Sequence, residues 1–260
     1  MSRKSLRNVM RLISEETQDI PAEQQFLADL KRSIELTANS NTKIPSKTYK
    51  PSSMSCIRSM YYQVTGTQPD KNDSSYTLVG ICNSGTDIHV RIQTAVAEMK
   101  NNGIDCEYID VGEFVKNRNI PDLEIIEKSG METKFWNKKL NMHFLCDGVI
   151  RYKGKYYILE LKTETSYKWQ TRMSVNEAHY DQATAYSVSL NLDNVLFVYI
   201  SRDTLDMKAF MLTVTSDMKQ DLIGKIEECN DYVSKGEVPP RPEEVKCTYC
   251  AYKGACWKNG

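Results

Sequence analysis

Hydrophobic and polar positions change period several times along the chain, and each change marks an element. Val9, Met10, Leu12 and Ile13 within residues 7–13 recur at helical spacing, as do Phe26, Leu27, Leu30 and Ile34 within 22–36. They predict two amphipathic helices in an N-terminal extension over residues 1–50. Residues 39–53 are polar, carry Pro45 and Pro51, and read as a linker. A short helix is expected around 55–63. A longer one is expected over 86–99, with Thr86 as N-cap and Ile88, Ile92, Ala95, Val96 and Met99 facing a core. From 104 to 165 the pattern is strand-like, with strands over 107–111 and 124–128 and a hairpin after them. Ser174-Val175-Asn176-Glu177 has the form of a capping box opening a helix to about Leu190. Strands follow over 195–200 and 208–214, then an amphipathic helix over 216–235 that Gly236 and Pro239-Pro240 end. This order predicts an α/β fold in which a mixed sheet is flanked by helices, with a core over 51–240 and a separate C-terminal segment over 241–260.

The hairpin carries the candidate chemistry. Residues 143–152 and 155–162 are rich in apolar and β-branched residues, and Lys153-Gly154 between them is a two-residue turn signal. Such a turn opposes Tyr152 to Lys155 and, continued, Asp147 to Glu160. Lys162 shares the face of Glu160 because side chains alternate along a strand. Opposed residues have Cβ atoms about 4.5–5.5 Å apart, where like charges destabilise the pair. Two carboxylates so placed call for a cation, and oxygen ligands suit Mg²⁺ or Mn²⁺. A lysine beside them stabilises developing negative charge, which is the equipment of metal-assisted phosphodiester hydrolysis. An acid-x-Lys triplet on an exposed sheet face is commonplace. Here Ile150, Ile158, Leu159 and Leu161 mark the strands as buried, where charges are seldom left without partners.

Composition sets the limits. The 260 residues are 40% hydrophobic and 26% charged, as in soluble globular proteins, and suffice for one sizeable domain with appendages. Lys+Arg and Asp+Glu both number 34, so net charge speaks against tight non-specific binding to a polyanion, and any such surface must be local. The sequence has no long apolar run and no signal-like N-terminus, which predicts a cytoplasmic protein without a membrane span, its eight cysteines reduced. Three of these form Cys247-x2-Cys250-x5-Cys256, a spacing that favours metal ligation over disulfides. Neither zinc nor an iron–sulfur cluster is ordinarily closed by three cysteines, so a fourth ligand is expected. Cys56, on the short helix, is the leading candidate. A local zinc site completed by water or histidine is the alternative. Cys82, Cys106, Cys146 and Cys229 read as packed thiols.

Taken together, these residues resemble the RecB-like branch of the PD-(D/E)XK nucleases. The match is closest to its iron–sulfur members, the CRISPR-associated adaptation exonucleases and the nuclease domain of AddB. The resemblance lies in Cys56-Ile57-Arg58, in the helical histidine of Gly85-Thr86-Asp87-Ile88-His89, and in Asp147 before an apolar strand. Glu160-x-Lys162, the Gln182-x3-Tyr186 helix and the terminal cysteines complete it, over about residues 52–258. It implies a restriction-endonuclease-like core with a C-terminal Fe–S clasp. His89, Asp147, Glu160 and the carbonyl of Leu161 would hold the divalent ion, and Lys162 would position the attacking water. Gln182 and Tyr186 would touch the DNA strand. Cys56, Cys247, Cys250 and Cys256 would hold a [4Fe-4S] cluster. Cys146 stands where the family often has proline. Lys168, Trp169 and Arg172 are candidates to line a DNA groove, and Glu132 to add a carboxylate to the metal site. The expected activity is therefore metal-dependent DNA hydrolysis, as an exonuclease on single strands or ends, with residues 1–50 available to protein partners. Rival readings are a catalytically silent DNA-end adaptor with the same fold and a zinc-binding interaction protein.

Overall fold

A computed structural model describes residues 21–40, 44–70, 73–242, 247 and 250–258. The helix expected over 7–13 lies outside them. Contacts divide the chain into two units, the described parts of 1–42 with 72–81, and those of 43–71 with 82–260. In the first, helix α1 (Ala22–Asn39) buries none of its residues, and Phe26 and Leu36 remain 68% and 63% exposed. Its Glu35 and Asn39 accept the amides of Tyr76 and Ser74, at 2.9 and 2.8 Å.

The larger unit is a mixed α/β structure built on two sheets. The strands are β1 (Cys106–Ile109), β2 (Leu123–Ser129), β3 (Glu132–Asn137), β4 (Met142–Cys146), β5 (Gly148–Tyr152), β6 (Lys155–Glu164), β7 (Asn194–Ser201) and β8 (Met207–Thr213). Five form a sheet in the order β1-β5-β6-β7-β8, in which the β6–β7 pair is parallel. The others, β2-β3-β4, form an antiparallel ribbon. The helices are α2 (Ile57–Val64), α3 (Tyr76–Glu98, of which the part from Cys82 belongs to this unit), α4 (Val111–Arg118), α5 (Ser166–Thr171), α6 (Tyr180–Leu190), α7 (Ser216–Lys235) and α8 (Lys253–Lys258). Because β6 and β7 run parallel, the chain between them must cross over, and it does so through α5 and α6.

Strand β6 is central, and its residues Ile158 to Leu161 are all at most 3% exposed. Alternation sends Leu159 and Leu161 into a cluster with Ile88, Ile150 and Ile200. Ile158 goes into the larger core with Phe197, Tyr186, Leu222 and Ile226. Each such side chain contributes about 1.5–3 kcal/mol by leaving water. No helix among the described residues is long and apolar enough to cross a membrane.

The hairpin turn is as expected: Tyr152 opposes Lys155, Gly148 opposes Leu159, and Lys153 and Gly154 have φ of 48° and 77°. The first arm differs. Residues 143–152 are two strands in different sheets, β4 and β5, with Asp147 at the crossing between them. Helix α3 begins at Tyr76 rather than at Thr86, whose hydroxyl bonds the Cys82 carbonyl inside the helix instead of capping it. Gly80, Gly85 and the Asn83-Ser84 pair weaken the helical signal of its first turns. Gly85 has a packing reason, since a Cβ there would lie 3.3 Å from Thr163 Oγ1. The strand expected over 107–111 stops at Ile109. Asp110 then accepts the Glu113 amide and caps α4, a helix not expected from periodicity. The capping box at 174–177 does not open α6 directly: Asn176 caps a single 3₁₀ turn, Glu177–His179, before Tyr180. The linker over 39–53 includes a buried Tyr49, bridged in parallel to Met142.

Glycine 148 lets two elements touch, because a Cβ there would fall 2.6 Å from Tyr108 Cε2. Gly148→Ala should therefore lower stability in chemical denaturation by about 1–3 kcal/mol through overpacking. Gly224→Ala, in open space within α7, should raise it by about 0.5–1 kcal/mol.

Candidate functional site

Asp147 lies where the ribbon joins the larger sheet. Extending the β3–β4 register by one residue sets Glu132 across from it, and extending the β5–β6 register sets Glu160 there. Its carbonyl is gripped twice. Gln93 Nε2 donates to it at 2.7 Å, and the Tyr108 hydroxyl sits 3.0 Å from both this oxygen and the Met131 carbonyl. One carboxylate oxygen, Oδ2, accepts the Leu161 amide at 2.7 Å, while Oδ1 stands 3.3 Å from His89 Nδ1. Helix α3 supplies both His89 and Gln93, one turn apart.

Glu160 is 3% exposed. Its Oε1 takes the Lys162 ammonium at 2.7 Å and Gln182 Nε2 at 2.9 Å. Gln182 Oε1 in turn accepts from Lys162 at 2.8 Å, so amide, acid and ammonium form a closed triangle. Glu160 Oε2 is buried with no hydrogen-bond partner among the described residues. Burial, then the charge of Asp147, raises the Glu160 carboxyl to about 7, against the opposing effects of Lys162 and His89. Burial alone would lower His89, but its bond to Asp147 and the charges of Asp147 and Glu160 carry it above its ordinary value. Burial and the Asp147 charge likewise raise Glu132. This is an acidic pocket short of positive charge.

Among the described residues, the ligand atoms of His89, Glu132 and Asp147 all lie within 4.8 Å of one another. Glu132, expected only as an addition, thus stands in that group. Glu160, expected in it, stands beside it with Lys162 and Gln182. For Leu161 the defined contact is its amide, donated to Asp147.

The residues assigned to DNA contact divide. Tyr186 is 4% exposed and donates its hydroxyl to the Leu145 carbonyl at 2.7 Å. It supports Gln182 from below rather than reaching a strand. Arg172 is paired through two of its three guanidinium nitrogens, Nε and Nη2, to Glu164 and lies over the Tyr199 ring, so its charge is spent internally. Trp169 bonds the Tyr199 carbonyl at 3.0 Å and carries Lys208 over its ring. Lys168 is exposed on α5.

A second site gathers the cysteines. Cys56, Cys247, Cys250 and Cys256 line one cavity of about 260 Å³ with Ser59, Tyr62 and Arg58. Cys56 is the N-cap of α2. Burial raises its thiol pKa, the backbone at Ser59 and Arg58 opposes, and the neighbouring Cys250 and Cys247 add to the rise. Arg58 donates to the Pro239 and Cys256 carbonyls at 2.8 and 3.2 Å, Arg241 to the latter at 2.9 Å, and Asp70 accepts the Gly254 amide. Residues 58 and 70 are thereby tied to residues 239–256 where these are described. Cys106, Cys146 and Cys229 are buried as expected, whereas Cys82 is exposed on α3.

No protein-family model matches this chain, and no curated protein matches its sequence. Among solved structures it is similar to SSO0001, at TM-score 0.47 and 14% identity over 89% of this chain and 96% of that one. It is also similar to an alkaline exonuclease, LHK-Exo from Laribacter hongkongensis, at 0.42 and 9% over 79% and 93%. The complex of LHK-Exo with dAMP gives 0.41 and 12% over 73% and 89%. At such values function has to be read from the side chains.

His179 donates a pH test. It lies against Phe197 and Tyr199, and burial, then the charges of Lys162 and Arg172, lower its pKa from 6.5 to about 4. The folded protein thus holds it neutral where the unfolded chain takes a proton. Its stabilising contribution is complete above pH 6.5 and is lost as pH falls towards 4. In denaturant titrations with chelator present, His179→Gln should show a shallower fall in stability across that window than the parent protein.

Proposed function

We propose that this chain is a divalent-metal-dependent deoxyribonuclease acting on single-stranded DNA or DNA ends, of the RecB-like PD-(D/E)XK type. The observation that carries the reading is Glu160: a buried carboxylate beside Asp147, neutralised on one oxygen by Lys162 and bare on the other. Hard oxygen donors with one imidazole fit Mg²⁺ or Mn²⁺, and His89, Asp147 and Glu160 would hold the ion. Such an ion polarises a phosphate oxygen and lowers the pKa of bound water. The chain's own groups do the rest. Glu160 and Gln182 fix the Lys162 ammonium from two sides, at 2.7 and 2.8 Å, so it meets charge developing on a phosphate without reorganising. Tyr186 and the Leu145 carbonyl hold Gln182 in place. Tyr108 and Gln93 hold the Asp147 backbone, so its carboxylate is aimed before substrate arrives.

The cysteine cavity is read as the seat of a [4Fe-4S] cluster. Four thiolates around a single zinc, each about 2.3 Å from the ion, leave no room between them. What supports a group held by all four is that the thiols share one cavity. Its role is structural, holding the C-terminal segment to α2.

Glu160→Gln and Lys162→Met should fold and lose Mn²⁺-dependent hydrolysis of single-stranded DNA by about 10²–10⁴-fold. Activity at the parent level in both variants rejects the hydrolytic site. Purified without oxygen, the protein should be brown, with about four irons per chain, and Cys250→Ser should be bleached. A colourless protein with one zinc per chain rejects the cluster.

A further inference from the structure

We infer that Glu132 is a metal ligand delivered by the β-ribbon, so that the ion clamps the tip of the β2–β3 hairpin onto the five-stranded sheet. The inference rests on the metal-site reading above and extends it to a residue and an element which that reading does not use.

Three separate parts of the fold converge here. His89 comes from α3, Asp147 from the crossing between β4 and β5, and Glu132 from the first position of β3. Their ligand atoms all lie within 4.8 Å of one another. Around Mg²⁺, with bonds of about 2.0–2.1 Å in octahedral geometry, adjacent ligands sit roughly 3 Å apart; His89 Nδ1 and Asp147 Oδ1 already stand at 3.3 Å, and Glu132 has to close on them from within 4.8 Å. Thr133 pairs with Cys146, and the next step of that register sets Glu132 opposite Asp147. Two carboxylates facing one another across a strand pair repel, and the ribbon has no structural need to keep them so. A second observation points the same way. Glu160, the neighbour of Asp147 on its other side, has its Oε2 buried and unpartnered among the described residues.

The hairpin tip already has one neutral tie. Beyond Gly130 (φ 59°), the Met131 carbonyl lies 3.0 Å from the Tyr108 hydroxyl, which also reaches the Asp147 carbonyl. Glu132 adds an ionic tie that exists only when a cation is present. Metal occupancy therefore sets how firmly β2 and β3 are held beside the site.

The full chain is titrated with Mn²⁺ by calorimetry, and amide hydrogen exchange is followed with and without Mn²⁺. In the parent protein, Mn²⁺ should slow exchange in the β2–β3 hairpin as well as in β6. Glu132→Gln should bind Mn²⁺ about 10–100-fold more weakly and lose the hairpin protection while keeping that of β6. A Glu132→Gln protein that matches the parent in either readout overturns the clamp and leaves the metal site standing. Failure of the parent protein to bind Mn²⁺ removes the metal site itself.

Discussion

A carboxylate withdrawn from water on a central strand governs this structure. Glu160 sits on β6 between Leu159 and Leu161, with Asp147 beside it, and an isolated ion in such a place costs several kcal/mol. Lys162 and Gln182 satisfy one oxygen, and burial with a like charge nearby holds the other short of a partner. Much of the surrounding architecture is arranged about that group. The crossover between β6 and β7 places α6 against the strand, which brings Gln182 and Tyr186 to it. On the other side α3 supplies His89 and Gln93. Buried polar groups of this kind are specific because removing any one strands the rest.

Asp147 shows how two sheets make one site. Neither sheet alone could place carboxylates on both sides of it. The ribbon contributes Glu132, the larger sheet contributes Glu160, and the chain passes between them at a residue whose carbonyl is held by two side chains. The absence of a side chain at Gly148 is what lets Tyr108 approach closely enough to do so. The cysteine cavity works on a longer scale. Around it, hydrogen bonds from Arg58 and to Asp70 fasten Pro239, Gly254 and Cys256 to residues nearly 200 positions earlier, Arg58 and Cys256 being 198 apart.

What was legible in the sequence was whatever depended on local period or on turn chemistry. Lys153-Gly154 predicted the register from Tyr152–Lys155 to Gly148–Leu159, and Gly236 with Pro239-Pro240 predicted the end of α7. The demand for a fourth ligand singles out Cys56, which lines the same cavity as the terminal cysteines. Misreadings arose where tertiary structure overrode a local signal. The run 143–152 looked like one strand because both sheets bury its apolar residues, and nothing local marks Asp147 as a crossing. Nothing local marks Glu132, because its place opposite Asp147 comes from the β3–β4 register, which only the fold defines. The helix α4 did carry a signal, Asp110 followed by Glu113, which strand-like neighbours obscured. Arg172 and Tyr186 carry no local sign of their partners: Glu164 lies on a different element eight residues earlier, and Leu145 lies 41 residues away.

The most direct measurement is diffraction from crystals grown with Mn²⁺, recorded for anomalous scattering. The account predicts a strong peak at bonding distance from Asp147 and His89, with the second oxygen of Glu160 turned to it. A peak elsewhere, or an intact pocket that stays empty of metal with Glu160 protonated, would contradict it.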